Sequence, residues 1–156
     1  MRADVTVIDI NQKRLSEVDQ MFSGTVKTLM SNIHEIEEQA LQSDLIIGAV
    51  LVHGARAPRL ISNVLVKSMK PGSVLVDIAI DQGGCFEDSR PTTHAEPTYK
   101  VHESIFYCVA NMPGAVPFTS TYALSNATLR YATALADKGW QEALRQDAGL
   151  ALGLNV

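Results

Sequence analysis

No stretch of this chain restricts its fold more than Pro71-Gly72-Ser73-Val74-Leu75-Val76-Asp77-Ile78-Ala79-Ile80-Asp81-Gln82-Gly83-Gly84. Pro-Gly supplies a turn. Val74, Leu75 and Val76 then run apolar without alternation, the pattern of a parallel strand covered on both faces rather than one lying open to water. Asp81-Gln82-Gly83-Gly84 is a polar exit whose glycines let backbone come close to a ligand. Because ligands in open α/β sheets bind beyond the carboxyl ends of the strands, Asp81 stands where such folds usually do their chemistry.

Strand and helix signals alternate on either side. Asp4 to Ile10 is a β-branched run containing Asp9, and Asn11 caps a helix that carries Leu15, Val18 and Phe22 at helical spacing. Two readings of Asp9 stand: a carboxylate at the tip of the second strand of a dinucleotide fold, accepting hydrogen bonds from ribose hydroxyls, or a residue that merely helps cap the following helix. Thr25 to Leu29 is a second strand, and Ser31-Asn32 with Glu35 signals the start of a helix over Ile33, Ile36, Ala40 and Leu41. Ser31 either caps that helix or touches an adenine at the strand-to-helix turn.

Asp44 to Leu51 reads as a central strand, with Gly48 permitting close approach at its exit. A loop, Val52 to Pro58, and a helix across Leu60, Ile61, Val64, Leu65 and Met69 lead into the Pro71–Gly84 stretch. From Cys85 to Tyr99, two prolines and little periodicity predict loop; Arg90 within it is either solvated or in contact with a cofactor. Ser104 to Val109 is the last strand, Ala110 to Pro117 its turn-rich exit, and Leu124, Ala127, Leu129, Tyr131 and Leu135 mark a long helix before Gly139. A further short helical segment begins at Trp140.

The composition, 46% hydrophobic and 19% charged over 156 residues, is that of a globular chain with one ordinary core. A formal charge of -4 gives no global basic surface for a nucleic-acid backbone or an anionic membrane, so neither is an expected partner. The absence of eighteen consecutive apolar residues, and of an apolar leader after Met1, leads to the expectation of a soluble, cytoplasmic protein. Cys85 and Cys108 lack Cys-x-x-Cys spacing and read as ordinary reduced thiols. His34, His53, His94 and His102 place no pair on one helix face, so no metal site is expected.

There is also no Gly-x-Gly-x-x-Gly and no Walker-type loop, although a dinucleotide domain holds pyrophosphate on such helix-N-terminal amides. A strand ending in an acid should follow that loop by about 20 residues, yet eight residues precede Asp9. The chain is therefore expected to begin inside its domain.

Val7-Ile8-Asp9-Ile10-Asn11, Gly48-Ala49-Val50-Leu51-Val52, Ala57-Pro58, Lys70 through Glu87, Ser89-Arg90-Pro91-Thr92-Thr93 and Tyr107-Cys108-Val109-Ala110-Asn111-Met112-Pro113 together resemble the bacterial alanine dehydrogenases, from the first strand to beyond residue 150. They are similar, less closely, to the NAD-binding subunit of proton-translocating transhydrogenase, which does not normally carry an Asp-Gln pair like Asp81-Gln82. His53 departs from the proline expected of the dehydrogenases. The resemblance implies reversible oxidative deamination of L-alanine to pyruvate and ammonia with NAD, in a cytoplasmic homo-oligomer, a hexamer. It implies that Asp9 holds the adenosine ribose, that Arg14 and Ser31 lie by the adenosine, and that Val50 and Leu51 line the cofactor cleft. Ile78, Ala79, Ile80 and Asp81, with Val109, Ala110, Asn111 and Met112, would border the nicotinamide, Arg90 would reach the cofactor from its loop, and Asp81 would be the catalytic aspartate. The family's substrate-binding arginine and lysine and its catalytic histidine belong to another domain.

The expected fold class is thus α/β, a Rossmann-type doubly wound parallel sheet truncated at its N-terminus, so that the central first strand and its glycine-rich loop are missing. Residues 1–135 would form a partial NAD-binding domain, and residues 136–156 the start of a helical segment returning toward the catalytic domain. The chain alone is expected to be inactive, and a non-catalytic remnant is the competing reading. In the strand order 3-2-1-4-5-6, residues 4–10, 25–29, 44–51, 73–78 and 105–109 take places 2 to 6. Residues 4–10 and 44–51 then either flank a gap or close directly against each other.

Overall fold

The computed structural model describes residues 3–50, 52 and 56–155. The chain divides into two compact units, Met1–Met112 and Pro113–Val156.

The first unit alternates β1 (Thr6–Asp9), α1 (Gln12–Met21), β2 (Lys27–Met30), α2 (Ile33–Gln42), β3 (Leu45–Gly48), α3 (Asn63–Ser68) and β4 (Val74–Asp77). A single 3-10 turn, Ile80–Gln82, comes next, and then β5 (Thr98–Val101) and β6 (Ser104–Tyr107). Each α-helix starts where a short polar side chain can accept a backbone N–H of the first turn. Asn11 accepts from Arg14 at 3.1 Å, Asn32 from Glu35 at 2.9 Å and Ser62 from Leu65 at 3.2 Å.

β1 and β2 pair in parallel as one sheet, and a second sheet has the order β3-β4-β6-β5. Its first three strands are parallel, and β5 is antiparallel to β6 on the outer edge. Of the two arrangements open to β1 and β3, the structure takes the unclosed one: they are not paired with each other among the described residues.

Thr98–Val101, where only loop is expected up to Tyr99, is a strand. Pro91 and Pro97 break the pattern before it, and the strand itself is four residues long, too short for periodicity to register. A tight hairpin at His102, whose φ is +52°, turns it into β6.

Registers show how the second sheet is covered. Residues two apart share a face, so Leu75, Phe106 and Asp77 lie on one side, all 0% exposed. Ile61, Leu65, Val66 and Met69 of the α3 region, Ala40 of α2, and Ala79, Ile80, Cys85 and Phe86 from beyond β4 complete that core. Phe86 meets Phe106 edge-on with ring centroids 6.0 Å apart. Each such large apolar side chain, once buried, stabilises the fold by roughly 1.5–3 kcal/mol. On the other side Val74, Val76, Ile105 and Tyr107 are partly exposed, and Leu45 and Ile47 are 54% and 58% exposed.

The second unit contains α4 (Pro117–Lys138), α5 (Trp140–Gln146) and α6 (Ala148–Ala151). α4 runs without a break past residue 135, and none of its residues is buried. The boundary between the two compact units falls after Met112, ahead of this helix.

Candidate functional site

β4 ends in Asp77, and the turn that leaves the strand is built around that carboxylate. Its Oδ1 accepts the Ala79 N–H at 3.1 Å; its Oδ2 accepts the Cys85 N–H at 2.7 Å and the Ser89 hydroxyl at 2.5 Å. Between these anchors the backbone makes one 3-10 turn, with Gln82 and Gly84 donating to the Ala79 carbonyl and Gly83 to that of Ile80. Gly83 and Gly84 take positive φ, +97° and +80°. Ala79 and Ile80 point into the core at 7% and 5% exposure, whereas Ile78 is 52% exposed and Asp81 is exposed. Asp81 is thus displayed on a turn whose neighbours are fixed. Beside it, Gln82 Oε1 is buried with no hydrogen-bond partner among the described residues.

Gly48, at the end of β3, is explained by packing. A Cβ there would come within 2.8 Å of Phe86 Cζ and 3.0 Å of Cys85 Cβ, so the close approach is made by the returning loop. Val50 packs partly buried against the core. Leu51 and His53 lie outside the described residues.

The Arg90 loop is pinned to the exit of β6. Thr92 donates its N–H to the Cys108 carbonyl at 3.0 Å and pairs with Val109. His94 Nε2 lies 2.6 Å from the Asn111 carbonyl. Arg90 gives its N–H to the Tyr99 hydroxyl at 2.9 Å and lays its guanidinium 4.1 Å from the centre of the Tyr99 ring. Tyr99 in turn donates to the Asp88 carbonyl at 2.8 Å and has Cys108 Sγ at 3.6 Å. Burial pushes the Cys85 and Cys108 thiols and the Tyr99 phenol up from their ordinary pKa values, and the Asp77 charge adds to the effect on both thiols. Ala110 and Asn111 are exposed and Met112 is half-buried, but Val109 is a core residue at 2% exposure.

A second cluster lies at the end of β1. The Ser31 N–H donates to the Asp9 carbonyl at 2.9 Å, which brings these two residues together. Asp9 Oδ1 accepts the Asn11 N–H at 2.7 Å, but Asn11 itself is the helix cap. The second Asp9 oxygen takes no hydrogen bond from any described residue. Arg14 is exposed and its guanidinium pairs with Glu17 at 2.8 Å, a solvated pair of small energetic weight.

The residues singled out from the sequence therefore gather in two places: Asp9, Ser31 and Arg14 at β1, and Ile78–Asp81, Arg90 and Val109–Met112 at β4 and β6. Ala79, Ile80 and Val109 can meet a ligand only through their backbone. Sequence reasoning passed over Asp77, Ser89 and Tyr99. The available signal was Asp77 itself, a carboxylate inside an apolar strand, which must find donors when buried. No cluster of three metal-binding side chains occurs among the described residues.

The family model described as alanine dehydrogenase/PNT, C-terminal domain, matches residues 1–156. The alanine dehydrogenase of Mycolicibacterium smegmatis is 63% identical over 156 residues, covering 100% of this chain and 42% of that protein. The alanine dehydrogenase of Halomonas elongata is 61% identical over 154 residues, covering 99% and 42%. A solved L-alanine dehydrogenase superposes with a TM-score of 0.89 at 52% identity, over 99% of this chain and 42% of that one. A transhydrogenase from Sinorhizobium meliloti superposes less well, with a TM-score of 0.65 at 26% identity over 77% of this chain and 33% of that one. The chain thus spans less than half the length of the curated relatives it matches.

Proposed function

The chain belongs to the alanine dehydrogenase/PNT C-terminal domain family, and on that footing we propose that it is the NAD-binding portion of an L-alanine dehydrogenase. The reaction is the reversible oxidative deamination of L-alanine to pyruvate and ammonia, in a homo-hexamer of the cytoplasm that needs neither nucleic acid nor membrane. The cofactor is a pyridine nucleotide, NAD in preference to NADP, and when bound it supplies the hydride acceptor.

The residues present fit the two ends of such a dinucleotide. At one end, Asp9 offers a half-buried carboxylate with one oxygen to spare for the ribose hydroxyls, with Ser31 beside it and Arg14 on the next helix turn. At the other end, the exposed Ile78 side chain, the backbone of Ala79 and Ile80, and the exit residues Val109 to Met112 border the nicotinamide. Arg90 approaches from the loop pinned to that exit, and Val50 lines the cleft. For the pyrophosphate between the two ends, the sequence has no Gly-x-Gly-x-x-Gly.

Hydride transfer asks the protein to hold its reactants face to face and to manage charge on the substrate nitrogen and oxygen. Asp81 is the catalytic residue that does the latter, by positioning the water or amine of the reacting centre. One observation carries this assignment: Asp81 is exposed between buried Ile80 and half-buried Gln82, on a turn at the carboxyl end of a central strand.

The test is alanine-dependent reduction of NAD by the 156-residue chain alone, and by the same chain joined to the length of its relatives that it does not cover. Turnover is expected only in the joined form. Turnover by the chain alone would overturn the division of labour, and an inactive joined form would favour the non-catalytic remnant.

A further inference from the structure

We infer that Asp77 is the positioning residue for Asp81: its buried carboxylate closes the base of the turn that presents Asp81, so that Asp81 works only while Asp77 holds its three donors. The inference rests on the catalytic reading of Asp81.

The geometry is that of a clasp. The chain leaves β4 at Asp77, runs out through Asp81 and returns at Cys85, and one carboxylate binds both limbs, through the Ala79 N–H at 3.1 Å and the Cys85 N–H at 2.7 Å. The Ser89 hydroxyl, at 2.5 Å, ties the same oxygen to the segment that leads into Arg90. Asp77 is 0% exposed, so no water replaces a lost donor or acceptor there, and an unmet partner would pull the turn out of shape. The 3-10 turn has only three short-range bonds of its own, from Gln82, Gly83 and Gly84 back to Ala79 and Ile80, and beyond Asp77 it is tied by the Ala57 N–H donating to the Gln82 carbonyl at 3.0 Å. Gly84 fits because it lacks a Cβ, which would sit 2.9 Å from Asp77 Oδ2. The two carboxylates are thus divided in labour. Asp77 is fully enclosed and cannot touch substrate; Asp81 is displayed, and its carboxylate has no hydrogen bond or ion pair among the described residues.

The experiment is a double-mutant cycle on the active joined protein, using Asp77→Asn, Asp81→Asn and the pair. Asn keeps one acceptor oxygen but replaces the other with an NH2 that faces donors. Misplacement of a reacting group by about 1 Å costs on the order of 100-fold, so Asp77→Asn should lower kcat by roughly 10- to 100-fold. The decisive readout is coupling. In the Asp81→Asn background, Asp77→Asn should lower kcat no further, because the group it positions is already gone. Should Asp77→Asn fail to fold, Ser89→Ala removes one donor only and enters the same cycle. Additive losses, or an unchanged kcat in Asp77→Asn and Ser89→Ala, would overturn the inference while leaving Asp81 catalytic. An unchanged kcat in Asp81→Asn would instead overturn the reading of Asp81, and the inference with it.

Discussion

Replacing Gly84 with alanine adds one methyl group to a place that has no room for it, and the cost divides into two parts that can be measured separately. Gly84 has φ +80°, a conformation that costs a residue with a Cβ about 1–2 kcal/mol. The new Cβ would also lie 2.7 Å from Ser89 Cβ and 2.9 Å from Asp77 Oδ2. Neither neighbour can retreat, since that oxygen is held by the Ser89 hydroxyl at 2.5 Å and the Cys85 N–H at 2.7 Å. Overpacking of this kind costs a further 1–3 kcal/mol or so, for a total of about 2–5 kcal/mol. Gly72 provides the comparison: its φ is +81° but nothing lies within 4 Å of the Cβ position, so Gly72→Ala bears the first cost alone. The difference of about 2 kcal/mol, divided by a urea slope of about 2 kcal/mol/M, separates the two midpoints by roughly 1 M. Cys85 and Cys108 are both buried and report unfolding through their alkylation during a urea titration. Equal midpoints for Gly84→Ala and Gly72→Ala would refute the clasp as a rigid object.

In the joined enzyme, kcat/KM should favour NAD over NADP strongly, because a 2′-phosphate set about 4 Å from the Asp9 carboxylate loses on the order of 4 kcal/mol per unit charge at an effective dielectric near 20. Equal values for the two cofactors would remove Asp9 from the ribose site. Stability should decline above about pH 9: the thiols of Cys85 and Cys108 and the phenol of Tyr99 all have folded pKa values above their ordinary ones, so the unfolded chain releases their protons first and gains as pH rises through 9.0 and then 10.0. A thermal midpoint that is flat from about pH 8 to 11 would contradict this, and Cys108→Ala should flatten part of the slope. The chain by itself should self-associate as its concentration rises, since Leu45 and Ile47 are exposed on β3 and neither β1 nor β3 pairs with the other; Ile47→Lys should reduce light scattering several-fold, and no change would dissociate the association from this sheet.

What could be read from the sequence was whatever depends on local pattern. Asn11 and Asn32 cap helices because a short side chain before an apolar period has few other uses, and β3 and β4 announce themselves as largely unalternated apolar runs. The exits of β4 and β6 were legible as polar, glycine- or proline-bearing turns, and the structure does bring Arg90 and Asn111 into one neighbourhood, through Thr92 and His94. Contacts across long separations were not legible. Nothing in the spacing of Asp77 and Ser89, twelve residues apart, says that they share a hydrogen bond. Ala79 and Ile80 look like ligand-facing residues only when the direction of each side chain along the turn is unknown. Gly48 likewise invites a ligand on paper, and its neighbour proves to be Phe86.

Burial was the hardest quantity to infer, for a reason visible in the second sheet. Leu75 and Phe106 are 0% exposed while their apolar strand neighbours Val74, Val76 and Ile105 are only partly buried, although all five residues would pass for core by composition. A strand with one wet face alternates apolar and polar side chains; β3, β4 and β6 do not. Periodicity thus reports the surroundings for which a strand is built, and exposure reports only the contacts that the described residues supply. For β3 the two diverge most: Ile46 packs on the core, while Leu45 and Ile47 carry the same hydrophobic chemistry on the other face at 54% and 58% exposure. The unpaired backbone edge of β3 and that bare face belong to the same four residues, so one cause, the absence of a neighbouring strand and of its covering helix among the described residues, accounts for both.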